Sequence, residues 1–288
     1  MARSLRSAAI VAFLGVVPPL PAAPLGVGSP QVAAVQVALR ARHLYSGTVD
    51  GVLGPATAKA VSALQRRAGL VPDGMVGPRT LGVLGPLAGP PLGTRPLVPG
   101  AVGGDVVELQ FLLAWHGFPS GTFDGGFGTH TEAALLRFQR WADLPLTGIT
   151  GPATVAALHA SLPRCPVELA WPLRTTIGDP FGPRGAGFHP GIDLPAPVGT
   201  PVHAAAPGLV TFAAPTAGGY GNLVVVKGAD GVATMYAHLS RILAYPGEAV
   251  TVGSPVGLVG ATGETTGPHL HFEVRVRGAA VDPLPALG

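Results

Sequence analysis

The middle of this 288-residue chain is an internal duplication, and no other feature of the sequence restricts its fold as strongly. Residues 32–84 align without a gap with residues 106–158, so each residue matches the one 74 positions later. About twenty positions are identical, among them Gln36 with Gln110, which is far more than a chance alignment gives. A repeat of this length indicates two copies of one small domain rather than a solenoid.

Each copy contains two turns of the pattern Asp-Gly-x-x-Gly-x-x-Thr. The pattern starts at Asp50 and Asp73 in the first copy and at Asp124 in the second, where the last turn starts with Thr147 instead. Asp-Gly is a turn signal, and in three of the four turns the second glycine precedes a proline, which is favoured at the first position of a helix. Apolar residues between the turns recur at helical spacing. Each copy is therefore predicted to be a three-helix unit with a small core.

The two copies resemble the peptidoglycan-binding domain of cell-wall hydrolases. The resemblance rests on the glutamine of the first helix, on the paired turns, and on a Phe/Leu-Gln pair that is Phe138-Gln139 in the second copy. It implies domains at residues 28–87 and 102–161 that bind peptidoglycan, joined by a Pro/Gly-rich surface linker at residues 88–101. Most repeated residues are turn and core positions, so the alternative is that the units are folding spacers.

The N-terminal region has the order of a secretory signal peptide. Arg3 and Arg6 precede an apolar run over residues 8–17, and prolines and small residues follow. The run is too short to cross a membrane. Residues 1–23 are therefore predicted to direct export. The protein is then expected to be secreted, either extracellular or associated with the cell wall, without a stable membrane span.

Charge and cysteine content argue against a nucleic-acid-binding protein and against a domain held together by disulfides. The net charge at pH 7 is only +3 and the basic residues are scattered, so no basic stripe for nucleic acid is present. Cys165 is the single cysteine, so the chain cannot form an intrachain disulfide. The sequence does not indicate an oligomeric state.

The C-terminal part of the chain has a different pattern. After a second linker at residues 162–170, short β runs alternate with glycine and proline, most clearly at residues 223–226, 233–239 and 269–276. No amphipathic helix stands out there. Residues 171–288 are therefore predicted to form a β-rich domain whose sheet has one buried face.

Four histidines and one aspartate of this domain form a candidate metal site. His189 and Asp193 flank a Pro-Gly pair that breaks a helix, which favours a loop or strand entry. His269 and His271 are two apart on a predicted strand, so both face the same side, and His238 ends another strand. Imidazoles with one carboxylate and an open position for water are typical of catalytic zinc. Together the five side chains suffice for three zinc ligands and two residues that assist hydrolysis.

With these motifs in view, the domain resembles the lysostaphin/LytM-type zinc metallopeptidases from about residue 171 to residue 284. The motifs that carry the resemblance are Phe-Gly-Pro-Arg from Phe181, His-Pro-Gly-Ile-Asp from His189, Gly-Tyr-Gly-Asn from Gly219, Tyr-Ala-His-Leu-Ser from Tyr236 and Thr-Gly-Pro-His-Leu-His-Phe-Glu from Thr266.

The resemblance implies a cofactor, a substrate and a role for each site residue. It implies Zn²⁺ bound by His189, Asp193 and His271, with His238 and His269 as the catalytic pair. The substrate implied is a peptide bond of bacterial peptidoglycan. Lys227 stands where members of the family often carry histidine, which puts no zinc ligand in doubt.

The expected architecture is multidomain α and β, with two small three-helix peptidoglycan-binding-like domains followed by a β-rich LytM-type peptidase domain. Glu273 shares the face of the strand histidines, and a structural or supporting role is expected for it. The helical units are expected to act as a tether, so that deleting residues 24–160 would weaken wall binding but spare cleavage of a soluble peptide. The alternative function is a catalytically silent wall-binding regulator of another hydrolase, against which the five retained residues argue.

Overall fold

The structure is a computed structural model that describes residues 28–288. The predicted signal peptide, residues 1–23, lies outside the described residues. We call residues 28–161 the helical module and residues 171–288 the β-domain. Among the described residues, no helix combines the length and apolar character needed to cross a bilayer.

Each copy of the duplication forms three α-helices within the described residues, as predicted. Their bounds are Pro30–Arg40 (α1), Pro55–Arg67 (α2), Pro78–Leu84 (α3), Gly104–Trp115 (α4), Thr129–Trp141 (α5) and Pro152–Leu158 (α6). Proline is the first residue of α1, α2, α3 and α6, where its missing N–H costs no helical hydrogen bond. Short 3₁₀ helices cover Gly85–Ala88 and Leu284–Ala286.

A buried glutamine ties each Asp-Gly turn to the helix that follows it. In the second copy, Gln110 Nε2 donates to Asp124 Oδ1 (2.8 Å), Gly126 O (3.0 Å) and Thr131 Oγ1 (3.2 Å). Its Oε1 accepts from the Gly125 N–H at 3.0 Å. The same arrangement recurs at Gln36, Gln65 and Gln139. The glutamine and its turn therefore occur together in every repeat, because the amide side chain and the polar groups of the turn satisfy each other.

The two copies pack against each other along α1 and α4. We call the apolar cluster between them the seam; it consists of Ala33, Ala34, Val37, Val49, Val107, Phe111, Ala114 and Phe123. Alanines on both helices let the backbones approach closely, and the aromatic side chains fill the remaining space. The copies thus form one packed unit.

The segment between the copies differs from the expected surface linker. Leu92 and Leu97 are buried in the core of the second copy. Leu97 N–H donates to Thr150 Oγ1 at 2.8 Å, and Thr150 N–H donates to Leu97 O at 3.1 Å. The two leucines of this proline-rich stretch thus pack into the core of the second copy rather than lying on the surface.

The β-domain contains twelve strands within the described residues, which agrees with the predicted β-rich fold. Their bounds are Gly182–Arg184 (β1), Gly187–His189 (β2), Ile192–Pro195 (β3), Pro201–His203 (β4), Gly208–Pro215 (β5), Asn222–Lys227 (β6), Val232–Leu239 (β7), Arg241–Ile242 (β8), Ala249–Val250 (β9), Pro255–Leu258 (β10), His269–Val276 (β11) and Ala279–Val281 (β12).

The central sheet is antiparallel and has the order β12–β11–β7–β6–β5–β9, with β3 paired to the first half of β11. A smaller sheet has the order β4–β10–β8, and β1 and β2 form a separate hairpin. The core of the domain lies on the face of the central sheet that carries Val224, Tyr236 and Phe272. The three strands predicted from the sequence fall within β6, β7 and β11.

Candidate active site

Strand β11 presents two histidines on one face and two core residues on the other. Leu270 and Phe272 are fully buried in the apolar core, while His269 and His271 point away from it. In the antiparallel pairing with β3, His271 lies directly opposite Asp193. The alternation predicted from the sequence is therefore present, and strand register brings the carboxylate to the histidines.

Three donor atoms converge at one point of this face. His189 Nε2 lies 3.0 Å from His271 Nδ1 and 3.1 Å from Asp193 Oδ1. His271 Nδ1 and Asp193 Oδ1 are 2.8 Å apart. Two imidazole nitrogens and one carboxylate oxygen are typical of catalytic zinc sites that keep a further position open. The residues present therefore fit a zinc ion, and they form a candidate metal-binding cluster within residues 28–288.

The other nitrogen of each of these histidines is held by a protein oxygen. His189 Nδ1 donates to Pro180 O at 2.9 Å, and His271 Nε2 donates to Glu273 Oε1 at 3.0 Å. Each hydrogen bond fixes the proton on the outer nitrogen and leaves a lone pair on the inner one. His189 therefore presents Nε2 to the candidate metal site, whereas His271 presents Nδ1.

Glu273 supports His271 from behind the site. The carboxylate is fully buried, and it also accepts from Tyr220 Oη at 2.7 Å and from Arg275 Nε at 2.8 Å. Burial by itself would raise the pKa of Glu273, but the hydrogen bond from His271 and the charge of Arg275 hold that pKa below its usual value. This geometry agrees with the supporting role expected for Glu273.

Asp193 faces the histidines with one oxygen and an arginine with the other. Its Oδ2 lies 3.3 Å from Arg184 Nη1. Burial would raise the pKa of Asp193, but its close polar contacts with the imidazoles of His189, His269 and His271 hold that pKa far below its usual range. The carboxylate is therefore charged and oriented at neutral pH.

His238 and His269 lie beside the three candidate ligands. Their ring centroids are 4.8 Å apart, and His269 Nε2 lies 3.5 Å from Asp193 Oδ1. Each ring donates its Nδ1 proton to a backbone carbonyl, at Thr262 O (2.8 Å) and at Gly267 O (2.9 Å). Both Nε2 atoms thus face the groove, where each could accept or return a proton.

All five predicted site residues line one open groove of about 760 Å³. Its remaining wall includes Arg184, Tyr220, Glu264 and Thr265. Sequence reasoning gave no role to Arg184, Tyr220 or Arg275. For Arg275 a signal was present, because Glu273 and Arg275 are opposite charges two apart on one strand and so share a face. For Arg184 and Tyr220 the partners depend on tertiary packing.

Two known families match this chain, and they confirm the resemblances and the fold class expected from the motifs. Residues 187–283 match "Peptidase family M23". Residues 28–84 and 102–158 each match "Putative peptidoglycan binding domain".

Similar proteins match part of this chain. The DD-carboxypeptidase/endopeptidase Mpg of Neisseria meningitidis serogroup B is 47% identical over 116 residues, which cover 38% of this chain and 26% of that protein. The peptidoglycan DD-endopeptidase ShyA of Vibrio cholerae serotype O1 is 37% identical over 139 residues, which cover 45% of this chain and 31% of that protein. This chain thus spans less than a third of the length of either curated relative.

Among solved structures, the catalytic domain of the antimicrobial peptidase lysostaphin from Staphylococcus simulans is 33% identical to this chain. That comparison has a TM-score of 0.37 and covers 38% of this chain and 90% of that one.

Proposed function

We propose that this chain, which carries a domain of peptidase family M23 behind two peptidoglycan binding domains, is a zinc-dependent endopeptidase that hydrolyses peptide bonds of bacterial peptidoglycan. The observation that carries the proposal is the convergence of His189, Asp193 and His271, whose donor atoms lie 2.8–3.1 Å apart. Two similar proteins, whose names describe endopeptidases, support the same chemistry.

The three convergent residues are proposed as the zinc ligands. A zinc ion bound there would supply Lewis-acid activation of water and of the peptide carbonyl. The negative charge of Asp193 offsets part of the charge of the ion, and Arg184 keeps the carboxylate turned so that Oδ1 faces the histidines. His189 and His271 donate their outer protons to Pro180 O and Glu273, so their inner nitrogens would be the ones to face the ion.

His238 and His269 are proposed as the catalytic pair. Their Nε2 atoms face the groove while their Nδ1 protons are fixed on carbonyl oxygens, which sets the orientation of both rings. In that orientation one imidazole can take a proton from the attacking water. That ring, now protonated, can return the proton to the leaving amine, while the other ring, when protonated at Nε2, can donate a hydrogen bond to the oxyanion that develops on the peptide carbonyl.

The helical module is proposed to bind the wall polymer, with domain boundaries at residues 28–87 and 102–161 ahead of a peptidase domain at residues 171–288. Two binding units on one chain raise the local concentration of the peptidase at an insoluble substrate. The proposed location is the cell wall or the extracellular space. Export by residues 1–23 stays a prediction from the sequence.

The test is digestion of isolated cell walls by the purified mature protein. We expect release of new amino termini that stops with a metal chelator and returns with added Zn²⁺. Substitution His269→Ala should abolish release while the protein still binds zinc, and Asp193→Ala should abolish both. His203→Ala is the matched control, because His203 belongs to the same domain but lies outside the groove, on β4.

The outcomes separate the two candidate functions. Fragments with new amino termini that appear only with intact metal ligands support the peptidase. Wall binding without any such release, at every zinc concentration, would leave the silent regulator as the function.

A further inference from the structure

The hairpin that carries His189 stands apart from the central sheet. Within the described residues, β1 and β2 pair with each other and with no other strand. The hairpin supplies His189 as a candidate ligand and also Arg184, which orients the second carboxylate oxygen of Asp193. An isolated two-stranded hairpin is marginally stable at best in water. Something other than the sheet must therefore hold these side chains in place.

The tip of the hairpin is held by both copies of the duplicated domain. Val49 N–H donates to Gly185 O at 2.8 Å, and Phe123 N–H donates to Ala186 O at 2.7 Å. Val49 and Phe123 occupy equivalent positions of the two copies, 74 residues apart. Two symmetry-related donors thus bind two consecutive carbonyl groups of one turn. A single copy could satisfy only one of them.

Aromatic packing extends this contact along the hairpin. Phe188 packs against the seam, and its ring lies 5.3 Å from Trp115 and 5.0 Å from Phe181, measured between centroids. Trp115 ends α4 and also contacts Phe111 of the seam at 6.4 Å. Successive residues of a strand face opposite sides, so Phe188 anchors the hairpin in the helical module while His189 faces the candidate metal centre.

We propose that the helical module positions the metal-ligand hairpin, and that Trp115 is a positioning residue acting on zinc through Phe188 and His189. The module is then more than a detachable tether. Deleting residues 24–160 would expose Phe188 and leave the carbonyls of Gly185 and Ala186 without their donors. The part of this inference that concerns catalysis rests on the proposed peptidase function, whereas the part that concerns zinc affinity does not.

The experiment compares full-length variants for zinc affinity, by competition with a chromophoric chelator. Trp115→Ala removes the anchor on the module side, Phe188→Ala removes it on the hairpin side, and Trp115→Phe is the conservative replacement. Arg277→Ala is the matched control. Arg277 donates to Trp141 O at 2.9 Å and pairs with Asp143, so it joins the same two domains away from the hairpin. Circular dichroism at 222 nm checks that the helices are retained.

We expect Trp115→Ala and Phe188→Ala to weaken zinc binding about tenfold or more, as loss of a residue supporting a metal ligand does. Trp115→Phe should recover most of the affinity, and Arg277→Ala should leave it unchanged. On a soluble peptidoglycan peptide at saturating Zn²⁺, the two alanine variants should lower kcat more than they raise KM. If Trp115→Ala loses its helical signal, Phe188→Ala decides by the same criterion.

Folded alanine variants that bind zinc as tightly as the parent chain would overturn the positioning role. Loss of affinity in Arg277→Ala to the same extent would also overturn it, because general loosening of the docked domains would then be the cause. A parent chain that binds zinc but cleaves nothing would refute the peptidase and leave the affinity comparison valid.

Discussion

Glu273 controls the ring nitrogen with which His271 faces the site. It holds the Nε2 proton of His271 at 3.0 Å and balances the charge of Arg275, whose Nη2 lies 2.7 Å away. The Glu273 carboxylate that makes both contacts is fully buried. Glutamine has the same shape as glutamate but no charge. Replacing Glu273 by glutamine therefore removes the negative charge that makes His271 a stronger ligand, and it leaves the charge of Arg275 uncompensated.

We predict that Glu273→Gln lowers zinc affinity about 10- to 100-fold. Chelator competition on the full-length protein measures this, and circular dichroism checks that the fold is retained. Tyr220→Phe is the control, because it removes one hydrogen bond to Glu273 (2.7 Å) and leaves the carboxylate and its contact with His271 in place. Equal affinities of Glu273→Gln and the parent chain would show that the carboxylate does not tune the ligand.

The residues of the candidate site differ in how far the sequence could predict them. His189, Asp193, His238, His269 and His271 lie in short motifs, and the strand period alone places the last two on one face. The choice of nitrogen could not be predicted, because it depends on the carbonyl of Pro180 and on the depth at which Glu273 is buried. The role of Arg184 could not be predicted, because its contact with Asp193 at 3.3 Å joins β1 and β3, which lie in different sheets.

Among the structural elements, the Asp-Gly turns depend most on one side chain each. Gln110 is fully enclosed and satisfies the Gly125 N–H, the Gly126 carbonyl and the Thr131 hydroxyl at once. We predict that Gln110→Leu, which keeps the side-chain size, destabilises the protein by about 3 kcal/mol, because it leaves several buried polar groups without partners.

Chemical denaturation measures this change in the free energy of unfolding. The control is Gln31→Leu, since Gln31 is half-buried and donates one hydrogen bond, to Glu108 at 3.1 Å. Its replacement should cost about 1 kcal/mol or less. A Gln110→Leu variant no less stable than Gln31→Leu would show that the turns do not need the glutamine.

Glu108 on α4 lies at the contact between the two copies. It is buried, and it accepts hydrogen bonds from Gln31 Nε2 and from the Leu92 N–H, both at 3.1 Å. Burial raises the pKa of Glu108 to about 7. A raised pKa means that the folded state favours the protonated acid. Its contribution to stability is therefore complete below about pH 4.5 and is lost as the pH rises through 7.

We predict that the parent chain loses on the order of 3 kcal/mol relative to Glu108→Gln between pH 4.5 and pH 8. The difference between the two unfolding free energies, followed by denaturant titration at each pH, cancels the titration of other groups. A difference that stays constant over this range would show that Glu108 ionises in the folded protein as it does in the unfolded chain.

Helices and strands could be predicted because their signals are local, as with the prolines that start four of the helices and the alternation in β11. The path of residues 88–101 could not be predicted in the same way. Its proline and glycine content indicates a surface linker, yet Leu92 and Leu97 are buried in the second copy. Likewise, no local pattern indicates that Val49 and Phe123 hold a turn more than sixty residues further along the chain.

At the scale of the whole molecule, the helical module and the β-domain are joined at several places. One is the contact of the seam with the hairpin. Another lies at β12, where Ala280 N–H donates to Gly117 O at 3.1 Å and Ala279 packs into the core of the second copy. Because the hairpin carrying His189 lies within the first contact, zinc binding and domain docking stabilise the same arrangement.

We therefore predict that Zn²⁺ stabilises the helices although they carry none of the proposed ligands. All α-helices of residues 28–288 belong to the module, so circular dichroism at 222 nm reports mainly on the module. At a zinc concentration 100 times the Kd, the folded state should gain about 2.7 kcal/mol, and the Tm of the helical signal should rise with it. His189→Ala should abolish the rise. Because a detachable tether would melt at the same temperature with or without zinc, a helical transition insensitive to Zn²⁺ would show that the two domains unfold independently.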